Sequence, residues 1–376
     1  MRLFSVAFQN FRILRAVTLD HLPKLVVLVG MNGSGKSTFL DVLSFLRDAV
    51  DQNAQRACLV RGGYSEVLSR GSSGDLGFYL TFENAGSASF GVSLGATDDR
   101  AVTVKREELR ITKGAERDPW QRFEFVNGRG EVVTSEGDGF PEKVALTMDT
   151  PERLALGALG LFRGPMSEVR SYLQSCRIST YDLDRSLSAS RTPVLSQLAR
   201  RVDELRQAQP DQYEALMADL RHRIPAVQEV SIRRDEDGGA NLDFFDAGFE
   251  KGISADAMSQ GTLKQLSYLM MLRVSKPEPV LMLEEPEHHF DARLLGHLVE
   301  DLRDYARRGS QVFLSTHSPE LLDAVDLDEI IWFERQKDGF SKIYRPSDLP
   351  LLKNLVAEGD LPGVLWRQGV FEAAKP

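Results

Sequence analysis

The sequence predicts an α/β fold with a mixed, mainly parallel sheet core, into which an antiparallel β-meander and a helical lobe are inserted. Three observations carry that prediction. Apolar runs at Leu25–Val29, Pro279–Leu283 and Gln311–Leu314 lack the alternation of half-exposed strands, and each ends in small or polar residues, as buried parallel strands do. Residues 76–148 instead break into short strand-like segments punctuated by Gly, Asn and Asp. From about Thr150 to Arg223 apolar residues recur at three- and four-residue spacing, the period of helices.

The elements follow in order. Leu3–Phe8 alternates, Asn10-Phe11-Arg12 intervenes, and Val17 and Leu19 lead toward Leu25, so two antiparallel strands feed the first buried strand. After Gly30 comes a glycine loop, then an amphipathic helix from Lys36 that fades near Asp51; Val60–Tyr64 is a turn. The meander reads as Gly77–Glu83, Ala88–Leu94, Ala101–Arg110, Trp120–Val126 and Glu131–Val133. Helices are expected over Pro151–Phe162, Pro165–Gln174, Pro193–Gln207 and Asp211–Arg223, with a polar loop at Ser179–Arg191. Val227–Arg233 and Ala240–Phe245 form a hairpin around Asp237-Gly238-Gly239, and from about residue 258 helix and parallel strand alternate again. The expected division is a core of residues 1–60 and 225–376, with residues 61–224 inserted.

Bulk properties narrow the class. A formal charge of −9 argues against a general polyanion binder, and the basic runs at Arg185, Arg191, Arg200, Arg201 and Arg221–Arg223 read first as solvated faces. Two cysteines, Cys58 and Cys176, make neither a disulfide framework nor a zinc cluster, which suits a reducing cytoplasm. No apolar run approaches the ~20 residues of a membrane helix, so a membrane role is not expected.

The chemistry concentrates at the ends of the buried strands. The loop Gly30-Met31-Asn32-Gly33-Ser34-Gly35-Lys36-Ser37-Thr38 fits G-x-x-x-x-G-K-[ST] through Gly30, Gly35, Lys36 and Ser37. Glycines permit positive φ, so successive N–H groups of the loop can converge on phosphate oxygens, and the following helix presents its own N-terminus to the same anion. Lys36 adds a point charge at the β- and γ-phosphates, and Ser37 offers a hard oxygen to Mg²⁺. Residues 279–283 deliver Glu284 and Glu285 at a strand tip: Glu284 is assigned to the metal and Glu285 to the base that polarises an attacking water. Ser259 N-caps the helix Leu263–Arg273 beside Gly261, and His317 follows the strand at Gln311–Leu314.

The ordered set Asn10-Phe11-Arg12, GMNGSGKST, SQGT before a helix, LMLEEPE and STHSP resembles ABC-type P-loop ATPases of the SMC/RecF/OLD group. Within it the chain is most similar to compact bacterial AAA-like ATPase domain proteins without a Toprim nuclease. The likeness covers residues 1–50 and 250–335. It implies ATP and Mg²⁺ as cofactors and a homodimer, or a higher even oligomer, closed head-to-tail around ATP. On that scheme Ser259 and Gly261 touch the γ-phosphate bound by a partner copy, His317 senses that phosphate, and Arg12 lies against phosphate or base. A glutamine sensing the γ-phosphate through Mg²⁺ is also implied; Gln52, Gln55 and Gln174 are the candidates, and none is assigned.

Three departures from the group's wording stand out. Glu284 replaces the usual Asp, SQGT replaces LSGGQ, and His288-His289-Phe290-Asp291 replaces Asn-x-Leu-His-Pro. The function expected is a cytoplasmic ATPase coupled to a separate effector protein in anti-phage defence or DNA repair and maintenance, with nucleic acid left open as a ligand. Alternatives are an OLD-type nuclease-associated ATPase acting on DNA directly, a transporter motor, and a nucleotide-gated scaffold that does not turn over. Only 57 residues follow Pro319, short of a further Toprim domain.

Overall fold

The structure, a computed structural model, describes residues 1–83, 86–97, 101–113, 121–134, 142–158, 164–178, 192–234, 239–274, 276–288 and 290–375. They fall into two compact units, one of residues 1–178, 278–285 and 309–376, the other of residues 179–277 and 286–308.

The first unit contains two sheets. The strands β1 (Arg2–Phe11), β2 (Leu14–Leu19), β4 (Leu76–Glu83), β5 (Gly86–Ala96), β6 (Val102–Lys113), β7 (Gln121–Val126), β8 (Arg129–Thr134) and β9 (Glu142–Thr147) form an antiparallel sheet in the order β2-β1-β4-β5-β6-β7-β8-β9. The meander is thus hydrogen-bonded to the N-terminal hairpin through β1 and β4. The second sheet, ordered β13-β14-β3-β15-β16, is made of β3 (Leu25–Val29), β13 (Val280–Glu284), β14 (Gln311–Thr316), β15 (Ile330–Arg335) and β16 (Ser341–Tyr344). Its first four strands are parallel and β16 runs antiparallel at the edge.

Helix α1 (Lys36–Asp51) lies between the sheets and is buried on several faces, which is why its apolar residues outnumber a single stripe. Phe39 touches Phe8 of β1 at 5.5 Å between ring centroids, Phe313 of β14 at 6.3 Å and Phe333 of β15 at 5.8 Å. One turn and a half further, Phe45 stacks on Phe78 at 5.4 Å and meets Phe11 edge-on at 5.5 Å. Such ring pairs contribute roughly 0.5–1.5 kcal/mol each beyond the area they bury, so this cluster fixes α1, and with it the loop before it, against both sheets.

Two buried polar groups tie the layers together. Gln311 satisfies its whole amide: Nε2 donates to the carbonyls of Leu3 and Pro23, both at 2.9 Å, while Oε1 accepts from Leu3 N at 2.8 Å and Tyr172 Oη at 2.7 Å. Glu107, fully buried in β6, accepts from the backbone N–H groups of Ala155 and Leu156 at 2.6 and 2.9 Å. Burial pushes its carboxyl up to about 7, against the opposite pull of those two donors.

Several elements differ from expectation. β1 runs through Phe11, because Phe11 pairs with Leu14 and the reversal is left to Arg12 and Ile13. The strand β9 and the helix α2 (Ala54–Leu59) were not legible, since β9 is largely exposed and α2 is too short to show a period. Of Pro151–Phe162 only Ala155–Ala158 is described as helix; residues 159–163, Trp120, Asp237, Gly238 and the loop Ser179–Arg191 lie outside the described residues.

The second unit pairs two helices, Thr192–Ala208 and Pro210–Arg223, with a three-stranded antiparallel sheet of β10 (Val227–Arg234), β11 (Ala240–Asp246) and β12 (Ile253–Ser254). Two more helices, Gln260–Val274 and Leu295–Arg307, complete it. Asp301 on the last of these is buried and takes Arg223 at 2.7 Å and Arg273 at 2.9 Å, so part of the basic run is an internal tie. Arg200 and Arg201, by contrast, are exposed as expected.

Candidate functional site

Everything at the site hangs on the tips of parallel strands. The register sets Glu284 beside Ser315, and Thr316 beside Val29, so β13, β14 and β3 end level with one another. From Val29 the chain enters the glycine loop through Gly30, at φ 153°, whose missing Cβ would lie 2.3 Å from the carbonyl oxygen of Phe333. Gly35, at φ 113°, leads into α1, and a Cβ there would meet Ser341 Oγ at 2.6 Å. Any larger residue at either position would have to move backbone or a buried hydroxyl, which is the physical reason for glycine here.

Helix α1 opens without a side-chain cap and without an acidic residue in its first turn. Its first N–H groups therefore remain a partial positive charge facing the loop, the arrangement that binds an anion. Lys36 is buried, donating from Nζ to the carbonyls of Gly30 at 2.7 Å and Met31 at 3.3 Å. Asn32, Gly33 and Ser37 are exposed at the surface of the loop, Thr38 is half-buried, and Ser34 is buried with its backbone carbonyl accepting from Ser341 Oγ at 2.6 Å. A polyphosphate fits this cradle, since the N–H groups, the ammonium and an exposed hydroxyl are all donors or hard ligands.

Across β14 lies the acid. Glu285 follows β13 with φ 44°, a left-handed conformation that costs a non-glycine residue of order 1–3 kcal/mol and marks a constrained side chain. Its N–H donates to Ser315 O at 2.9 Å, and its Oε1 accepts from His317 Nδ1 at 3.1 Å. Glu284, half-buried, ends β13 itself. Thr316 is fully buried and accepts from Ser318 N at 3.0 Å, which holds the turn carrying His317.

The first unit thus brings together Gly30–Thr38, Glu284, Glu285 and His317 on one sheet edge. The turn carrying Arg12 abuts the loop, since a Cβ at Gly35 would meet Leu14 and Ile13 at 3.3 and 3.4 Å. The Arg12 guanidinium itself pairs with Asp41 Oδ2 of α1 at 2.8 Å, and Asp41 also takes the buried Arg61 at 2.8 Å. None of the three glutamine candidates is at the loop. Gln52 ends α1, about 24 Å along the helix from Lys36. Gln174 donates to Asp51 at 2.8 Å, and Gln55 accepts from Val102 N at 2.6 Å.

Ser259 and Gly261 belong to the second unit. Ser259 caps the Gln260–Val274 helix, its Oγ accepting from Thr262 N at 3.2 Å, and it is exposed. Further along that helix Lys264 Nζ donates to His288 O at 2.7 Å and lies 5.9 Å from the Phe290 ring, which Tyr268 meets edge-on at 5.4 Å. The segment whose wording departs from the group is therefore anchored to the serine-led helix. His289 lies outside the described residues.

Sequence reasoning missed the support behind the loop. Phe333, Arg335 and Ser341 of the β15–β16 hairpin all touch it, with no motif to announce them. The C-terminal residues also acquire a role: Asp323 accepts from the N–H groups of Gly363 and Val364 at 2.9 and 3.1 Å, and Phe371 packs on Trp332 at 5.7 Å.

A glycine loop between a parallel strand and an uncapped helix, with an acid–histidine pair on the neighbouring strand tips, defines a P-loop NTPase domain. The chain belongs to the family described as "AAA domain, putative AbiEii toxin, Type IV TA system", whose sequence model matches residues 25–323, about four-fifths of its length. A stretch of 72 residues is 40% identical to the DNA replication and repair protein RecF of Anaeromyxobacter dehalogenans (strain 2CP-C), covering 19% of each chain. Among solved structures, an SMC head bound to the C-terminal winged-helix domain of ScpA aligns with a TM-score of 0.52 at 16% identity, over 92% of this chain and 98% of that one. The SMC head with an extended coiled coil, bound to the C-terminal domain of ScpA and derived from Pyrococcus furiosus, gives 0.51 at 14% identity, over 96% and 100%. These two likenesses speak to the fold. No helix among the described residues is long and apolar enough to cross a membrane.

Proposed function

We propose that this chain binds and hydrolyses ATP, and that two copies close head-to-tail around the nucleotide to drive a separate effector protein. The observation that carries the reading is the uncapped α1 N-terminus and Lys36 set beside the Glu285–His317 pair on adjoining strand tips. In this scheme the loop holds the phosphates, Ser37 and Glu284 hold Mg²⁺, and His317 keeps the Glu285 carboxylate aimed at an attacking water. Mg²⁺ supplies charge neutralisation of the phosphates. Ser259 and Gly261 of one copy complete the site of the other, as in the group the motifs resemble. An exposed Ser259 at the N-terminus of a 15-residue helix suits that role.

The family description, with its toxin–antitoxin wording, supports a defence function, and the RecF stretch supports DNA maintenance. Two of the solved neighbours were captured with a domain of another protein, which supports an effector partner here. Ser259→Arg tests the trans arrangement: monomer affinity for ATP should be unchanged within about twofold, while steady-state turnover falls at least a hundredfold, since a bulky cation blocks the closed pair. Retained turnover in that variant would reduce Ser259 to a helix cap.

A further inference from the structure

The strand order gives the phosphate loop two distinct flanks. On one side β14 and β13 carry His317 and Glu285; on the other, β15 ends in Arg335. A triphosphate whose γ-phosphate reaches the Glu285–His317 pair, with its inner phosphates in the loop, must extend its nucleoside toward β15. We propose that Arg335 is a nucleoside-recognition residue, its guanidinium lying flat against the purine base of the bound nucleotide. The proposal rests on the ATP reading above and adds the residue that reads the other end of the ligand.

Arg335 is suited to this by position and by chemistry. Its side chain is exposed, and Nη1 makes only a long, 3.4 Å bond to the carbonyl of Gly33. No carboxylate among the described residues pairs with it, in contrast to Arg12 and Arg61 nearby. A guanidinium anchored by one long bond to a neutral carbonyl can turn onto a ligand without breaking an ion pair. Its plane and weak hydration favour stacking on an aromatic ring.

The hairpin carrying Arg335 is held in place independently of any ligand. The backbone of Phe333 packs against Gly30, Ser341 Oγ donates to Ser34 O at 2.6 Å, and Ser341 N donates to Ile13 O at 2.9 Å. The Arg15 guanidinium sits 5.1 Å from the centre of the Phe340 ring at the turn. Three loop residues, Gly30, Gly33 and Ser34, are therefore tracked by one hairpin, and Arg335 keeps a fixed reach to whatever the loop holds.

The experiment compares equilibrium binding of ATP and of inorganic tripolyphosphate, each with Mg²⁺, to the full chain and to Arg335→Ala and Arg335→Lys. Arg335→Ala should weaken ATP about five- to tenfold and leave tripolyphosphate within about twofold, because only ATP carries a base. Arg335→Lys should fall between, keeping the charge without the plane. The thermal midpoint of each variant without ligand should match the parent, as expected for an exposed side chain. Equal weakening toward both ligands would overturn the proposal by assigning Arg335 to phosphate, and so would unchanged ATP binding. A parent chain that binds tripolyphosphate but not ATP overturns it as well; one that binds neither overturns the nucleotide reading on which it rests.

Discussion

Lys36→Ala should abolish measurable ATP binding, with affinity falling more than a hundredfold in calorimetric titration, about 3 kcal/mol. The ammonium is the charge that the loop itself supplies, and it is stored against the carbonyls of Gly30 and Met31 in a buried position. When a polyphosphate enters, those contacts can be exchanged for charge-assisted bonds, which are the strong ones. Alanine removes that gain and also leaves the buried Gly30 carbonyl without its donor, at a cost of about 1–3 kcal/mol to the empty loop. The fold should survive, because α1 is held by Phe39 and Phe45 rather than by its first residue. Binding at parental affinity would remove the loop from the site.

Glu285→Gln should act differently. Turnover, followed as phosphate release, is expected to drop by 10²–10⁴, the usual contribution of a positioned base, while ATP affinity stays within a few-fold of the parent. The substitution is nearly isosteric, and the amide oxygen can still accept from His317 Nδ1, so the strained backbone at Glu285 keeps its supports. With hydrolysis blocked, the ATP-bound pair should accumulate and sediment as a dimer. Turnover at the parental rate would place the base on another residue.

The parts of this site that were legible in the sequence share one property: their chemistry requires a fixed local pattern. The loop needs glycine at Gly30 and Gly35 because the chain there runs at positive φ against Phe333 and Ser341. Glu285 and His317 follow directly on continuous apolar strands, so their place at a sheet edge could be read from the run before them. Arg335 could not, because its nearness to Gly33 spans 302 positions and depends on β15 pairing with β3.

Gln311 is similar: a polar residue at the head of an apolar run gave no hint that it would join β1, the Pro23 carbonyl and Tyr172. The glutamines that invited a metal-sensing role were positioned by chain order alone, and their amides are engaged with Asp51 and Val102 or lie at the far end of α1. For Arg12 the resemblance implies a contact with phosphate or base; nothing in the sequence signalled that Asp41, four residues beyond Ser37 on α1, holds its guanidinium.

The claim beneath all of this is that a nucleotide gripped by one copy is finished by the serine-led helix of another. The most direct measurement is ATP turnover per subunit across a wide range of protein concentration, at saturating ATP and Mg²⁺. The account predicts a specific rate that vanishes on dilution, rises steeply with concentration and levels off once pairs predominate. A specific rate that is constant from the most dilute sample to the most concentrated would show that a lone subunit carries a finished site, and would contradict it.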